Sequence, residues 1–302
     1  MEVLSPFKET YTESIRPTQD RSRELYHDFD LEDLYHVLQI EPHNSVAAMA
    51  LAKKLIHRGR LDEALKVARS LVRLDSSYPT LMLLGRLEYD LGLSEEAQQD
   101  LYEALLLSGE DGEGQFEIFK MLGNLHVKAG EFELAEDNYY KAHRLNPISD
   151  VLLVNMGTLA IQKSQWDESL QLFRDAVGLN PANDRAWVGL AVGHRMKGDF
   201  ELSWGNLENA LELNPLNEAA LTLANDWGRQ DGRDERVLEL LRSYVLEGGP
   251  DEDLSLAFAE ACWRRGMARA AQLEVERILA FNPCNEKASA LAELWKVSRD
   301  RN

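Results

Sequence analysis

The chain has 302 residues, and 52 Asp plus Glu against 33 Lys plus Arg give it a formal charge of −19 at pH 7. Its 44% hydrophobic and 28% charged residues are close to globular averages, which excludes wholesale disorder. A negative field of that size repels phosphates and anionic headgroups, which excludes general nucleic-acid or membrane-surface binding unless a local basic patch overcomes it.

The first 29 residues mix Ser, Thr, Pro and charges with a few aperiodic apolar residues (Val3, Leu4, Phe7, Tyr11, Ile15), and predict a flexible or extended arm. No basic flank there precedes an apolar stretch, and no later segment approaches the roughly 18 apolar residues of a membrane span. The two cysteines, Cys262 and Cys284, match neither a disulfide framework nor a zinc site. The expectation is a soluble, cytoplasmic protein with no cofactor and no membrane insertion.

From residue 31 onward the pattern is helical and periodic. Residues 31–41 (LEDLYHVLQIE) read as a single helix before Pro42. The triplets Leu145-Asn146-Pro147, Leu179-Asn180-Pro181 and Leu213-Asn214-Pro215 then set a period of 34 residues, with Pro42, Ser76, Pro250 and Pro283 near the same phase. The phase slips between Ser76 and Pro147, and the surplus falls in the run from Gly109 to Gly114, which predicts a loop inserted between units. Small residues such as Gly123, Gly157, Ala135 and Ala176 recur where two helices must approach, with Leu122, Tyr139, Phe173 and Trp187 filling the space beside them. Asn-Pro ends each second helix, since the residue before proline is pushed out of the α region. Residues 286–299 form an amphipathic closing helix, with Leu291 and Trp295 inward and Glu293, Lys296 and Arg299 outward.

Aligned on this period, the unit 116–149 carries Phe119, Leu122-Gly123, Gly130, Ala135, Tyr139, Ala142 and Pro147 at repeat positions four, seven and eight, fifteen, twenty, twenty-four, twenty-seven and thirty-two. This resembles the tetratricopeptide repeat. Units 150–183 and 184–217 keep much of the set, 45–78, 78–111 and 252–285 keep part of it, and 218–251 is degenerate at Asn225, Gly228 and Gly249. The resemblance implies an all-α, right-handed superhelical solenoid of antiparallel helix hairpins, about seven 34-residue repeats, with capping helices. Residues 30–44 would be a half-repeat, 286–299 the C-terminal cap, and the first helix of each hairpin would line the concave side.

No phosphate loop, nucleophile elbow or metal spacing is present, so the expectation is that the chain is not an enzyme. His126 and His194 share position eleven of their repeats and read as core or groove lining, as does Cys262. The first fourteen positions of units 45, 78, 116, 150 and 184 hold ten bases and five acids, a net +5 inside a chain of −19. Acids favour helix N-termini and bases C-termini, which accounts for part of this. Lys53, Arg86, Lys120 and Arg185 are not last-turn residues, and they predict an inner surface suited to an acidic ligand.

Family members that capture a chaperone's terminal carboxylate use five such positions, and Lys120, Asn124, Asn155 and Arg185 match four, while Gly189 departs from the fifth. The resemblance thus implies a groove near 116–196, with Lys120, Asn124, Asn155, Arg185 and Arg195 as polar contacts and Val151, Val154, Thr158, Val188, Val192 and Met196 as walls. The expected function is a protein-interaction scaffold or adaptor that binds an extended or helical segment of a partner protein, acidic or carboxylate-ended. A self-assembling scaffold using the arm of another copy, and a carboxylate-clamp co-chaperone or regulatory subunit of a catalytic partner, are the alternatives.

Overall fold

In a computed structural model of the chain, residues 26, 28–109 and 111–299 are described. Among them are sixteen α-helices and no strand. The expected arm lies outside the described residues except at residues 26, 28 and 29. There Tyr26 and Phe29 meet edge to face with ring centroids 5.1 Å apart, and Asn44 Nδ2 donates to the Tyr26 hydroxyl at 3.0 Å. Both rings pack with Leu34, Ala47 and Leu51.

The helices fall into two compact units, 1–145 and 146–302. In the first, α1 (Leu31–Ile40) precedes three hairpins: α2 (Ser45–His57) with α3 (Leu61–Leu74), α4 (Tyr78–Asp90) with α5 (Ser94–Leu107), and α6 (Gly112–Ala129) with α7 (Phe132–Leu145). In the second, α8 (Asp150–Gln162) pairs with α9 (Trp166–Leu179), α10 (Asp184–Met196) with α11 (Phe200–Leu213), α12 (Glu218–Asp231) with α13 (Asp234–Leu246), and α14 (Glu252–Arg264) with α15 (Ala268–Phe281). α16 (Glu286–Arg299) closes the array against α15.

Local chemistry sets these boundaries. Asn44, Ser149, Asn183, Asn217 and Asp251 each cap a first helix, the side-chain oxygen accepting a backbone N–H of the first turn. Asn180, Asn214 and Asn282 stand at the C-caps of α9, α11 and α15, each before a proline. Between the helices of a hairpin the backbone turns at repeat position fifteen with φ between 69° and 83° at Gly59, Gly92, Gly130, Gly198, Gly232 and Gly266. Ser164 holds that place in the fourth hairpin at φ 60°.

Packing follows the small residues. Position eight is Ala52, Gly85, Gly123, Gly157, Ala191 and Ala259 in six repeats, all buried where first and second helices cross. Asn225 is the exception, and the α12–α13 hairpin closes less tightly than the others. Its closest approach moves to Gly228, where an added Cβ would stand 2.2 Å from Val237 Cγ2. Within each unit the first helices of neighbouring hairpins also touch, α4 with α6, α8 with α10 and α12 with α14, which places them on the inner side of the stack.

One expected feature differs. Gly109 lies outside a helix, but Gly112 and Gly114 open the 18-residue α6, where a loop was expected over the whole run. Asp111 caps this extension by accepting the Gly114 N–H at 3.1 Å, which offsets the poor helix propensity of the glycines.

Candidate peptide groove on the first helices

The expected groove residues divide between the units, and each is described within its own. In the first unit, Lys120 lies on α6, its side chain 18% exposed. Its ammonium pairs with Glu117 Oε1 at 2.7 Å and sits 5.1 Å from the centre of the Phe116 ring. Asn124, one turn on, is engaged at both ends: Nδ2 donates to Tyr89 Oη at 3.0 Å, and Oδ1 accepts from Tyr139 Oη at 2.7 Å. Burial, together with the neighbouring Tyr89, drives the Tyr139 hydroxyl well above the ordinary phenol range, so it stays a donor. Asn124 therefore ties α4, α6 and α7 together.

In the second unit, Asn155 is half-buried on α8, while Val151 and Thr158 on the same helix are exposed. On α10, Arg185 and Met196 are exposed and Val188 and Val192 half-buried. Arg185 makes no ion pair among the described residues. Val154, expected as a wall, is buried in the core with Leu153, Leu170 and Phe173.

Arg195 is committed elsewhere. Its guanidinium bonds Asp231 Oδ2 at 2.5 Å and Oδ1 at 3.1 Å, and it lies against the rings of Phe200 (4.6 Å) and Trp227 (5.0 Å). Trp204 Nε1 donates to the same Asp231 Oδ2 at 2.7 Å. The Arg195 hydrogen bond, aided by Trp204 and working against burial, holds Asp231 below the usual carboxylate range. A bidentate arginine stacked between aromatics is a fixed bridge from α10 to α12.

Gly189 has a packing reason. An added Cβ would stand 2.3 Å from Phe173 Cε1, and Gly157 faces the same ring from α8. The phenyl group fills the place of a sixth-position side chain.

Sequence reasoning missed a recurring latch. Asn180 and Asn183 both donate to Asp150 Oδ2, at 2.7 and 2.8 Å; Asn214 and Asn217 do the same to Asp184 Oδ2, at 2.7 and 2.8 Å. Asn282 and Asn285 repeat it on Glu252 Oε2, at 3.0 and 2.6 Å. Burial alone would raise the Asp150 carboxyl, but the hydrogen bonds from Asn183 and Asn180 outweigh it and hold the group low. The signal was available: an acid at repeat position one with Asn thirty and thirty-three residues later. Asp150 and Asp184, two of the five acids on the inner windows, thus serve the joints between repeats.

His126 and His194 are both buried, with Nδ1 toward Glu131 (2.6 Å) and Asp199 (3.3 Å). Cys262 is also buried, which raises its thiol above the ordinary range, whereas Cys284 is exposed. Among the described residues no group of three or more His, Cys, Asp or Glu is placed to hold a metal ion, and no helix is long and apolar enough to cross a membrane.

The tetratricopeptide-repeat family model matches residues 154–217. No curated protein matches the chain significantly. Among solved structures, a tetratricopeptide repeat protein from Parabacteroides merdae superposes with a TM-score of 0.57 at 20% identity, over 83% of this chain and 98% of that one. A chain of the APC/C hetero-tetramer Cut9-Hcn1 gives 0.54 at 16% identity, over 88% of this chain and 46% of that one. The pilF structure of Pseudomonas aeruginosa gives 0.53 at 16% identity, over 72% and 97%. At these identities the likeness is one of fold.

Proposed function

We propose, from the premise that the chain is a tetratricopeptide-repeat protein, that it is a non-enzymatic interaction scaffold binding an extended or helical segment of a partner protein along its first helices. The observation that carries this reading is the contact between neighbouring first helices, α4 with α6, α8 with α10 and α12 with α14, which supports a shared face along each of these pairs. Val151, Thr158 and Met196 are exposed there with Arg185, and Lys120 is held by a single Glu117 partner on its own helix. An incoming carboxylate can share the ammonium with Glu117, since a lysine carries three donors and Glu117 Oε1 takes one.

The acidic-ligand form of this reading narrows to Lys120 and Arg185. Asn124 already has a donor and an acceptor partner, Arg195 is fixed to Asp231, and Phe173 backs Gly189. That set argues for a broader carboxylate preference than a strict terminal clamp. A photo-reactive residue placed at Thr158 or Val192 tests the groove. Partner crosslinks should form from these positions and not from Arg174 on the second helix α9; crosslinks from Arg174 alone would move the site to the outer face.

A further inference from the structure

Where the second hairpin packs on the third, three polar side chains form a line from the interior to the surface. His126 on α6 stands at its centre and is 2% exposed. Its Nδ1 lies 2.6 Å from Oε2 of Glu131, in the turn before α7, and its Nε2 lies 3.2 Å from the hydroxyl of Tyr102 on α5. A carboxylate only accepts, so Nδ1 of the neutral ring carries the proton and Nε2 presents its lone pair to the Tyr102 O–H. Tyr102 itself reaches the surface, 41% exposed. Among the described tyrosines it is the one bonded to a histidine: exposed Tyr35 donates to Glu63 at 3.4 Å, and exposed Tyr140 has no histidine partner. The histidine–acid half of the line recurs at His194 and Asp199, but Arg174 holds the repeat position of Tyr102 there.

We propose that Tyr102 is a nucleophile that accepts an acyl group from an uncharged activated ester, with His126 as its base and Glu131 orienting the imidazole. An activated hydroxyl needs such a set: the attacking oxygen, a base within hydrogen-bond reach and a third group that holds the base. In the step, Tyr102 Oη bonds to the carbonyl carbon while its proton passes to His126 Nε2, and the Glu131 carboxylate stabilises the imidazolium so formed. The bond to the ester's leaving oxygen then breaks and the imidazolium returns the proton to that oxygen, leaving an acylated tyrosine and a free alcohol or phenol. The surroundings select the donor. Glu103 beside Tyr102 and Glu131 beyond the ring are exposed acids that oppose a phosphoryl donor, whereas Leu106, one helical turn on and 85% exposed, offers an apolar surface to an uncharged one. The nucleophile belongs to a second helix, so the site stands or falls independently of a groove on the first helices.

The probe is p-nitrophenyl acetate, added to the full chain at neutral pH, with the acetyl group located on each tyrosine by peptide mass spectrometry. Tyr102 should be acetylated at least about a hundredfold faster than Tyr140, the lower end of general-base assistance. Tyr102→Phe should remove the fast phase of nitrophenolate release. Glu131→Gln, at a half-exposed side chain, keeps an acceptor for Nδ1 but not the charge that stabilises the imidazolium. It should slow Tyr102 by at least about tenfold, with Tyr140 labelling and helicity unchanged. The corresponding phosphate ester should leave Tyr102 unmodified. Equal acetylation of Tyr102 and Tyr140, an undiminished rate in Glu131→Gln, or phosphorylation of Tyr102 by the phosphate ester would each overturn the assignment.

Discussion

Position fifteen shows how a single backbone angle selects its residue. Six repeats place glycine there at φ near 70–80°, and Ser164 adopts φ 60° in the remaining one, the fourth hairpin. A left-handed residue with a Cβ costs about 1–2 kcal/mol, partly offset because glycine has more unfolded-state freedom to lose. Ser164→Gly should therefore stabilise the chain by about 0.5–1 kcal/mol, seen as a raised denaturant midpoint. Gly189→Ala should do the reverse, because its Cβ falls 2.3 Å from Phe173; overpacking of this kind costs about 1–3 kcal/mol. Glu88 supplies a pH signature. It is 2% exposed, Oε1 accepts from Arg69 at 3.0 Å, and Oε2 is unpartnered. Burial, with Asp100 nearby and against Arg69, lifts its carboxyl to about 7. The folded state then holds a proton that the unfolded state has lost, so stability falls as pH rises from about 4.5 to about 7. Glu88→Gln should flatten that slope and raise the melting temperature at pH 8 relative to wild type; an unchanged slope would show that Glu88 does not cause it. The glycines and buried histidines were legible because each obeys a local rule at a fixed period. Ser164 was not, since only the angle reveals the shared role.

The joints between helices were legible in outline and not in mechanism. Asn-Pro marked the ends of second helices, but the asparagine also reaches back to the acid that opens its own repeat. Groups thirty and thirty-three residues from the acid converge only once the hairpin closes and the next helix follows it, so no local pattern announces them. Asp184→Ala leaves the amides of Asn214 and Asn217 without their acceptor, and a loss of about 1–3 kcal/mol should follow. At the C-terminal end Trp295 is 3% exposed and stacks on Trp263, centroids 4.6 Å apart and planes 8° from parallel. Trp295→Ala should cost about 3–5 kcal/mol and remove the near-ultraviolet signal of the pair. A smaller loss would mean that α16 frays from the array. The degenerate repeat was recognisable by its residues, but only geometry shows that its hairpin meets at Gly228 and Val237.

Taken as a whole, the molecule combines a charge of −19 with inner helices whose windows are net basic. Much of that basicity is already engaged: Lys120 with Glu117, Arg195 with Asp231 and Lys197 with Asp167. Arg58, Arg86, Lys128 and Arg185 remain exposed without an ion pair among the described residues, and of the bases on those windows they are the most open to a ligand. Partner binding should accordingly weaken with salt, as expected for exposed charges screened over about 8–10 Å. The most direct test is quantitative affinity of a captured partner for wild type beside Lys120→Glu/Arg185→Glu, with helicity and melting followed in parallel. Arg185→Glu should barely change folding, because an exposed charge contributes little to stability, whereas Lys120→Glu, half-buried beside Glu117, should lower stability without unfolding the array. Affinity should fall by about 1.5–3 kcal/mol for each charged hydrogen bond removed; equal affinity in a fully folded double variant would contradict a ligand held on the first helices.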